Sequence, residues 1–98
     1  MKDLELKYIG TETNIKDFIG MIQAENQRQL DKWGIQDRTP FEWIAYIAEK
    51  FGEVVTAVCE HEYRGADVRH IQKENIQLMT LCLKLLEMYY WPEYSKEG

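Results

Sequence analysis

The stretch Asp67-Val68-Arg69-His70-Ile71-Gln72-Lys73-Glu74-Asn75-Ile76-Gln77-Leu78-Met79-Thr80-Leu81-Cys82-Leu83-Lys84-Leu85-Leu86-Glu87-Met88-Tyr89-Tyr90 decides the fold. Its apolar residues recur at spacings of three and four with no Gly or Pro inside, the pattern of one long α-helix. Asp67 suits the N-cap, and Trp91-Pro92 ends the run. Two apolar seams run along it. One is Ile71, Glu74, Leu78, Leu81, Leu85 and Met88, and the other is Ile76, Met79, Leu83, Leu86 and Tyr90. A narrow polar strip of Lys73, Thr80, Lys84 and Glu87 separates them. A surface helix of a monomer needs one apolar stripe. Two seams predict that one packs within the subunit and the other against a partner copy, unless the N-terminal arm covers it.

Upstream, the same periodicity predicts two more helices. Ile15, Phe18, Ile19, Ile22, Asn26, Leu30 and Trp33 mark the first, with Thr13 or Asn14 as its cap and Gly34 as its stop. Thr39-Pro40-Phe41-Glu42 opens the second: Thr39 caps, Pro40 suits the first helical position, and Glu42 completes a capping box. That helix runs to about Tyr63 and breaks at Arg64-Gly65-Ala66. The first dozen residues, with Leu4, Leu6, Tyr8 and Ile9, are ambiguous between a short strand and an extra helical turn. The reading is a single all-α domain over 1–98, with an N-terminal arm at 1–13 and a C-terminal tail at 91–98.

Composition bounds the function. A chain of 98 residues, 45% hydrophobic and 12% aromatic, supports one folded core and is too apolar for disorder. Acidic residues outnumber basic ones 17 to 12, giving a net charge of −5, which argues against nucleic-acid polymers as partners. A nucleotide remains compatible if a divalent cation bridges carboxylates and phosphates. The alternating N-terminus lacks the apolar centre of a signal peptide, and the run from Leu78 to Leu86 is interrupted by Thr80 and Lys84, so neither a leader nor a membrane span is expected. Cys59 and Cys82 read as buried reduced thiols, which fits a cytoplasmic protein.

Two features carry chemistry. Glu42, Glu49, Glu53 and Glu60 fall on one narrow arc of the second helix, opposite Phe41, Ile44, Ala48, Phe51 and Val55. No basic residue within that arc relieves Glu49 and Glu53, which invites an external cation or a basic partner. Glu74 stands in an apolar seam, where a carboxylate is costly unless paired or bound to metal. Facing helices of a bundle place metal carboxylates in this way.

These residues carry a resemblance to a known family. The segments Glu25-Asn26-Gln27-Arg28-Gln29, Lys32-Trp33-Gly34-Ile35-Gln36, Phe41-Glu42-Trp43-Ile44, Ala48-Glu49-Lys50-Phe51-Gly52-Glu53-Val54 and Glu74-Asn75-Ile76-Gln77 occur in the order seen in the MazG-like, all-α nucleoside triphosphate pyrophosphohydrolases. The resemblance implies a MazG-like helical bundle, completed by dimerisation or higher homo-oligomerisation, that binds a nucleotide beside Mg2+ or Mn2+. Active members cleave the α–β phosphoanhydride with a metal-activated water. Carried onto this chain, it implies Glu49 and Glu53 as catalytic carboxylates and Glu53, Glu74 and Gln77 as metal ligands. Arg28, Lys32, Trp33 and Lys50 would contact the substrate, with Arg38 as a further phosphate contact and Trp33 stacking on a base. The family pattern has Glu where this chain has Lys50 and Asp where it has Gln77. A nucleotide-binding member without hydrolysis is therefore the alternative, and a helical interaction module the third reading.

Overall fold

A computed structural model describes residue 10 and residues 12–90. Among them the chain forms three helices and no strand: α1, Glu12–Trp33; α2, Pro40–Arg64; and α3, Val68–Tyr90. The all-α expectation holds. The strand-or-turn question for the first dozen residues, and the Trp91-Pro92 stop, fall largely or wholly outside the described residues. The helix ends follow local chemistry. Thr39 is extended (φ −71°, ψ 158°), and its hydroxyl accepts from the Glu42 backbone N–H at 3.2 Å while Glu42 Oε1 accepts from the Thr39 N–H at 3.0 Å. At the other end Gly65 takes φ +70°, with its N–H donating to the His61 carbonyl and that of Ala66 to the Glu60 carbonyl. Asp67 accepts from the Arg69 backbone N–H at 2.9 Å and so caps α3. Gly34 at φ +71° stops α1, donating to the Leu30 carbonyl at 2.7 Å. The start of α1 differs from expectation, because Thr13 and Asn14 lie inside the helix rather than at its cap.

Helix α3 is the central element. Both α1 and α2 pack on it, and among the described residues they do not pack backbone to backbone with each other. On α2 the packed arc is Trp43, Ile47, Lys50, Val54, Ala57 and His61, at helical spacing. Among the described residues the buried apolar side chains are Trp43 and Ala57, at 5% and 2% exposure. Truncating Trp43 to Ala would cost ~3–5 kcal/mol. The apolar stripe Phe41, Ile44, Phe51 and Val55 lies elsewhere on α2 and is exposed, Phe41 at 81%.

The strip between the α3 seams is partly covered, and one reading of the sequence is corrected. Thr80 is fully buried, its hydroxyl donating to the Ile76 carbonyl at 2.8 Å, and Lys84 is half-buried. α1 and α2 approach α3 from different sides, so part of the strip points into the angle between them. Cys59 and Cys82 are exposed free thiols rather than buried ones, because α2 and α3 meet through other arcs.

Candidate functional site

The candidate site begins where α2 faces α3. Lys50 belongs to the packed arc of α2, which directs its stem at α3, and Glu53 follows one turn later. On α3, Glu74 and Gln77 are also one turn apart. The four side chains meet. Lys50 Nζ donates to Glu53 Oε2 at 2.7 Å, to Glu74 Oε2 at 2.9 Å and to Gln77 Oε1 at 2.8 Å. An ammonium has three N–H donors, and all three are used. Glu74 is only 8% exposed, so the seam carboxylate is buried and paired. Its other oxygen, Oε1, lies 3.6 Å from His70 Nε2.

The electrostatics follow from this geometry. Burial works against the Lys50 ammonium, but the hydrogen bonds it donates to Glu53 and Glu74 outweigh that effect and raise its pKa. The Lys50 hydrogen bond holds Glu53 below the usual carboxylate range. On α1, Glu25 accepts from Arg28 Nε at 2.9 Å, from Arg28 Nη2 at 2.7 Å and from Gln29 Nε2 at 2.8 Å. The Arg28 hydrogen bond lowers its pKa, against the opposing effect of burial. Gln29 Oε1 accepts from Lys84 Nζ, which lies 5.5 Å from the centre of the Trp43 ring. Burial pushes Lys84 below the ordinary lysine range.

Between these elements lies a cleft of about 460 Å³. Of the residues singled out from sequence, Arg28, Trp33, Glu49, Lys50, Glu53 and Gln77 line it. Glu74 lies behind Lys50, and Lys32 sits over the Trp33 ring, 4.7 Å from its centre, without lining the cleft. Arg38 also lines it, 5.6 Å from the centre of the Tyr46 ring and 3.5 Å from Glu42. Trp43 and Tyr46, in edge-to-face contact at 6.0 Å, complete an aromatic wall that the sequence reading missed. Their spacing of three on the arc that carries Lys50 was the available signal.

A magnesium site requires hard anionic oxygens around an open position. Here an ammonium already takes the Glu53, Glu74 and Gln77 oxygens that would face the ion. Among the described residues no three His, Cys, Asp or Glu side chains converge as a metal-binding group. The donor set as arranged does not fit the divalent metal that the resemblance implies. Compared with protein-family models, curated proteins and solved structures, the chain matches none. Among the described residues no helix is long and apolar enough to cross a membrane.

Proposed function

We propose that this chain is a MazG-like nucleotide-binding protein that holds its ligand in the cleft between α1, α2 and α3 and does not hydrolyse it. The observation that carries this reading is the Lys50 ammonium at the floor of the cleft, satisfied by Glu53, Glu74 and Gln77. Hydrolysis of a phosphoanhydride by the family route needs a cation that activates water and neutralises phosphate charge. A lysine can supply charge but not an ionised bound water. The cleft nevertheless keeps aromatic rings and guanidinium groups, the chemistry that receives a base and a phosphate.

Hydrolysis remains the second reading because Glu49 lines the cleft without a hydrogen bond among the described residues. One experiment separates the two. Pure protein is incubated with nucleoside mono-, di- and triphosphates and Mg2+ or Mn2+, and both pyrophosphate release and thermal stability are followed. The proposal expects stabilisation without pyrophosphate. Release of pyrophosphate would establish the hydrolase, and no response to any nucleotide would leave an interaction module.

The apolar face of α2 with Phe41, Ile44, Phe51 and Val55 supports assembly with a second copy of the chain. The free thiols Cys59 and Cys82 fit a reducing, cytoplasmic setting.

A further inference from the structure

The charges around the cleft decide how many phosphates its ligand can carry. Three cations line it: Arg28, Arg38 and Lys50. None is a surplus charge. Arg28 is paired with Glu25 at 2.7 Å, Arg38 with Glu42 at 3.5 Å, and Lys50 with both Glu53 and Glu74. Glu49 adds another carboxylate to the lining. Those three cations therefore face five carboxylates: Glu25, Glu42, Glu49, Glu53 and Glu74. Lys32 over Trp33 and Lys84 over Trp43 bring the named charges to five of each sign. A polyphosphate is held by a metal or by an excess of cations, and this cleft has no such excess.

The donors left unused show where a phosphoryl group can sit. The three Lys50 donors are committed within the protein. Arg28 gives Nε and Nη2 to Glu25, which leaves Nη1 without a hydrogen bond among the described residues. Arg38 makes a single bond, through Nη1 to Glu42, at the long limit of 3.5 Å. The guanidinium N–H groups left over, three on Arg28 and four on Arg38, can serve a phosphoryl group, and the balance of charge above is what limits the ligand to one. About 460 Å³ lies toward the small end of ligand-cavity sizes, and the exposed Trp33 ring and part-exposed Tyr46 ring that line the cleft suit a flat ring, with the buried Trp43 behind them.

We propose that the ligand of this cleft is a singly phosphorylated aromatic compound, a nucleoside monophosphate by chemical class, with its phosphate on Arg28 and Arg38 and its base against the aromatic wall. This rests on the nucleotide-binding reading above and narrows it. Calorimetric titration of the full chain in chelator tests it, with the four common nucleosides, their monophosphates and their triphosphates as probes. At least one monophosphate should bind about tenfold tighter than both its nucleoside and its triphosphate. Arg38→Gln and, separately, Arg28→Gln should remove most of the gain over the nucleoside while circular dichroism stays unchanged. Should one variant fail to fold, the other reads the same contact. A triphosphate that binds as tightly as the monophosphate, or tighter, overturns the inference and leaves nucleotide binding standing. A nucleoside that matches its monophosphate, or folded variants that lose nothing, overturns the phosphate assignment. Binding of no probe at all removes the nucleotide-binding reading itself.

Discussion

Lys50 Nζ and Glu74 Oε2 meet at 2.9 Å across the α2–α3 contact, joining the two helices by a charge pair set into their packed faces. Removing one member of such a pair leaves the other charge desolvated and unmatched. Lys50→Met should therefore cost about 2 kcal/mol in urea unfolding, below the range for a fully buried pair because a fifth of the Lys50 side chain stays in solvent. Glu53→Gln should cost much less, since Glu53 is exposed and Glu74 keeps its lysine. Equal costs for the two variants would show that the pair does not join the helices.

Two other carboxylates, Glu53 and Glu25, set a pH dependence. Glu53 is held below the usual carboxylate range by Lys50, and Glu25 by Arg28. A carboxylate depressed in the folded state contributes its full stability above its unfolded pKa and loses it as pH falls through the folded value. The melting temperature should thus fall as pH drops through the ordinary carboxylate range and below it. Lys50→Met should flatten that fall, because Glu53 then loses its main depressing contact. A variant as acid-sensitive as the parent would assign the acid limb to other carboxylates.

The ends of α2 offer a test of local chemistry. Thr39→Ala deletes the hydroxyl that accepts from the Glu42 N–H and should cost about 1 kcal/mol in chemical denaturation. Gly65→Ala places a side chain at φ +70°, where a Cβ meets nothing within 4 Å. Its cost is the backbone strain alone, about 1 kcal/mol. A Gly65→Ala effect several times larger would point to a contact at that position beyond strain.

These caps are legible in the sequence because capping acts over four or five residues and needs no tertiary contact. The grouping of Lys50, Glu53, Glu74 and Gln77 is legible only through the resemblance, since helical spacing alone sets Glu53 on an acidic arc that leaves Lys50 out and marks Glu74 as a carboxylate in an apolar seam. The arc by which α2 packs is not legible. Phe41, Ile44, Phe51 and Val55 have the greater hydrophobicity, yet Trp43, Ile47, Val54 and Ala57 with Lys50 face α3. Periodicity identifies an apolar face, but not which neighbour covers it. The inward turn of Thr80 and Lys84 is hidden for a related reason. It depends on α1 and α2 approaching α3 from different sides, which neither helix encodes alone.

The uncovered stripe gives a prediction about assembly. Phe51→Asp places a charge on the exposed apolar face without touching the packed arc. If that face joins two copies, light scattering should show a lower mass for the variant while helicity by circular dichroism is retained. A monomeric parent, or a variant of unchanged mass, would remove this face as the interface.

The last test exchanges the ammonium for the charge of the family pattern. Lys50→Glu would place another carboxylate beside Glu53 and Glu74, with the Gln77 carbonyl oxygen as a neutral donor. Without a cation those like charges repel, so the variant should be less stable than the parent in chelator. With Mn2+ the same oxygens become a hard donor set around an open position. Ligand linkage at a hundredfold excess over Kd returns about 2.7 kcal/mol, so the rise in melting temperature should be readily measured and reversed by chelator. The parent should show no such rise, because its ammonium already uses the three oxygens. A variant that is indifferent to Mn2+ would mean that the Lys50 side chain does not occupy the position of the divalent ion.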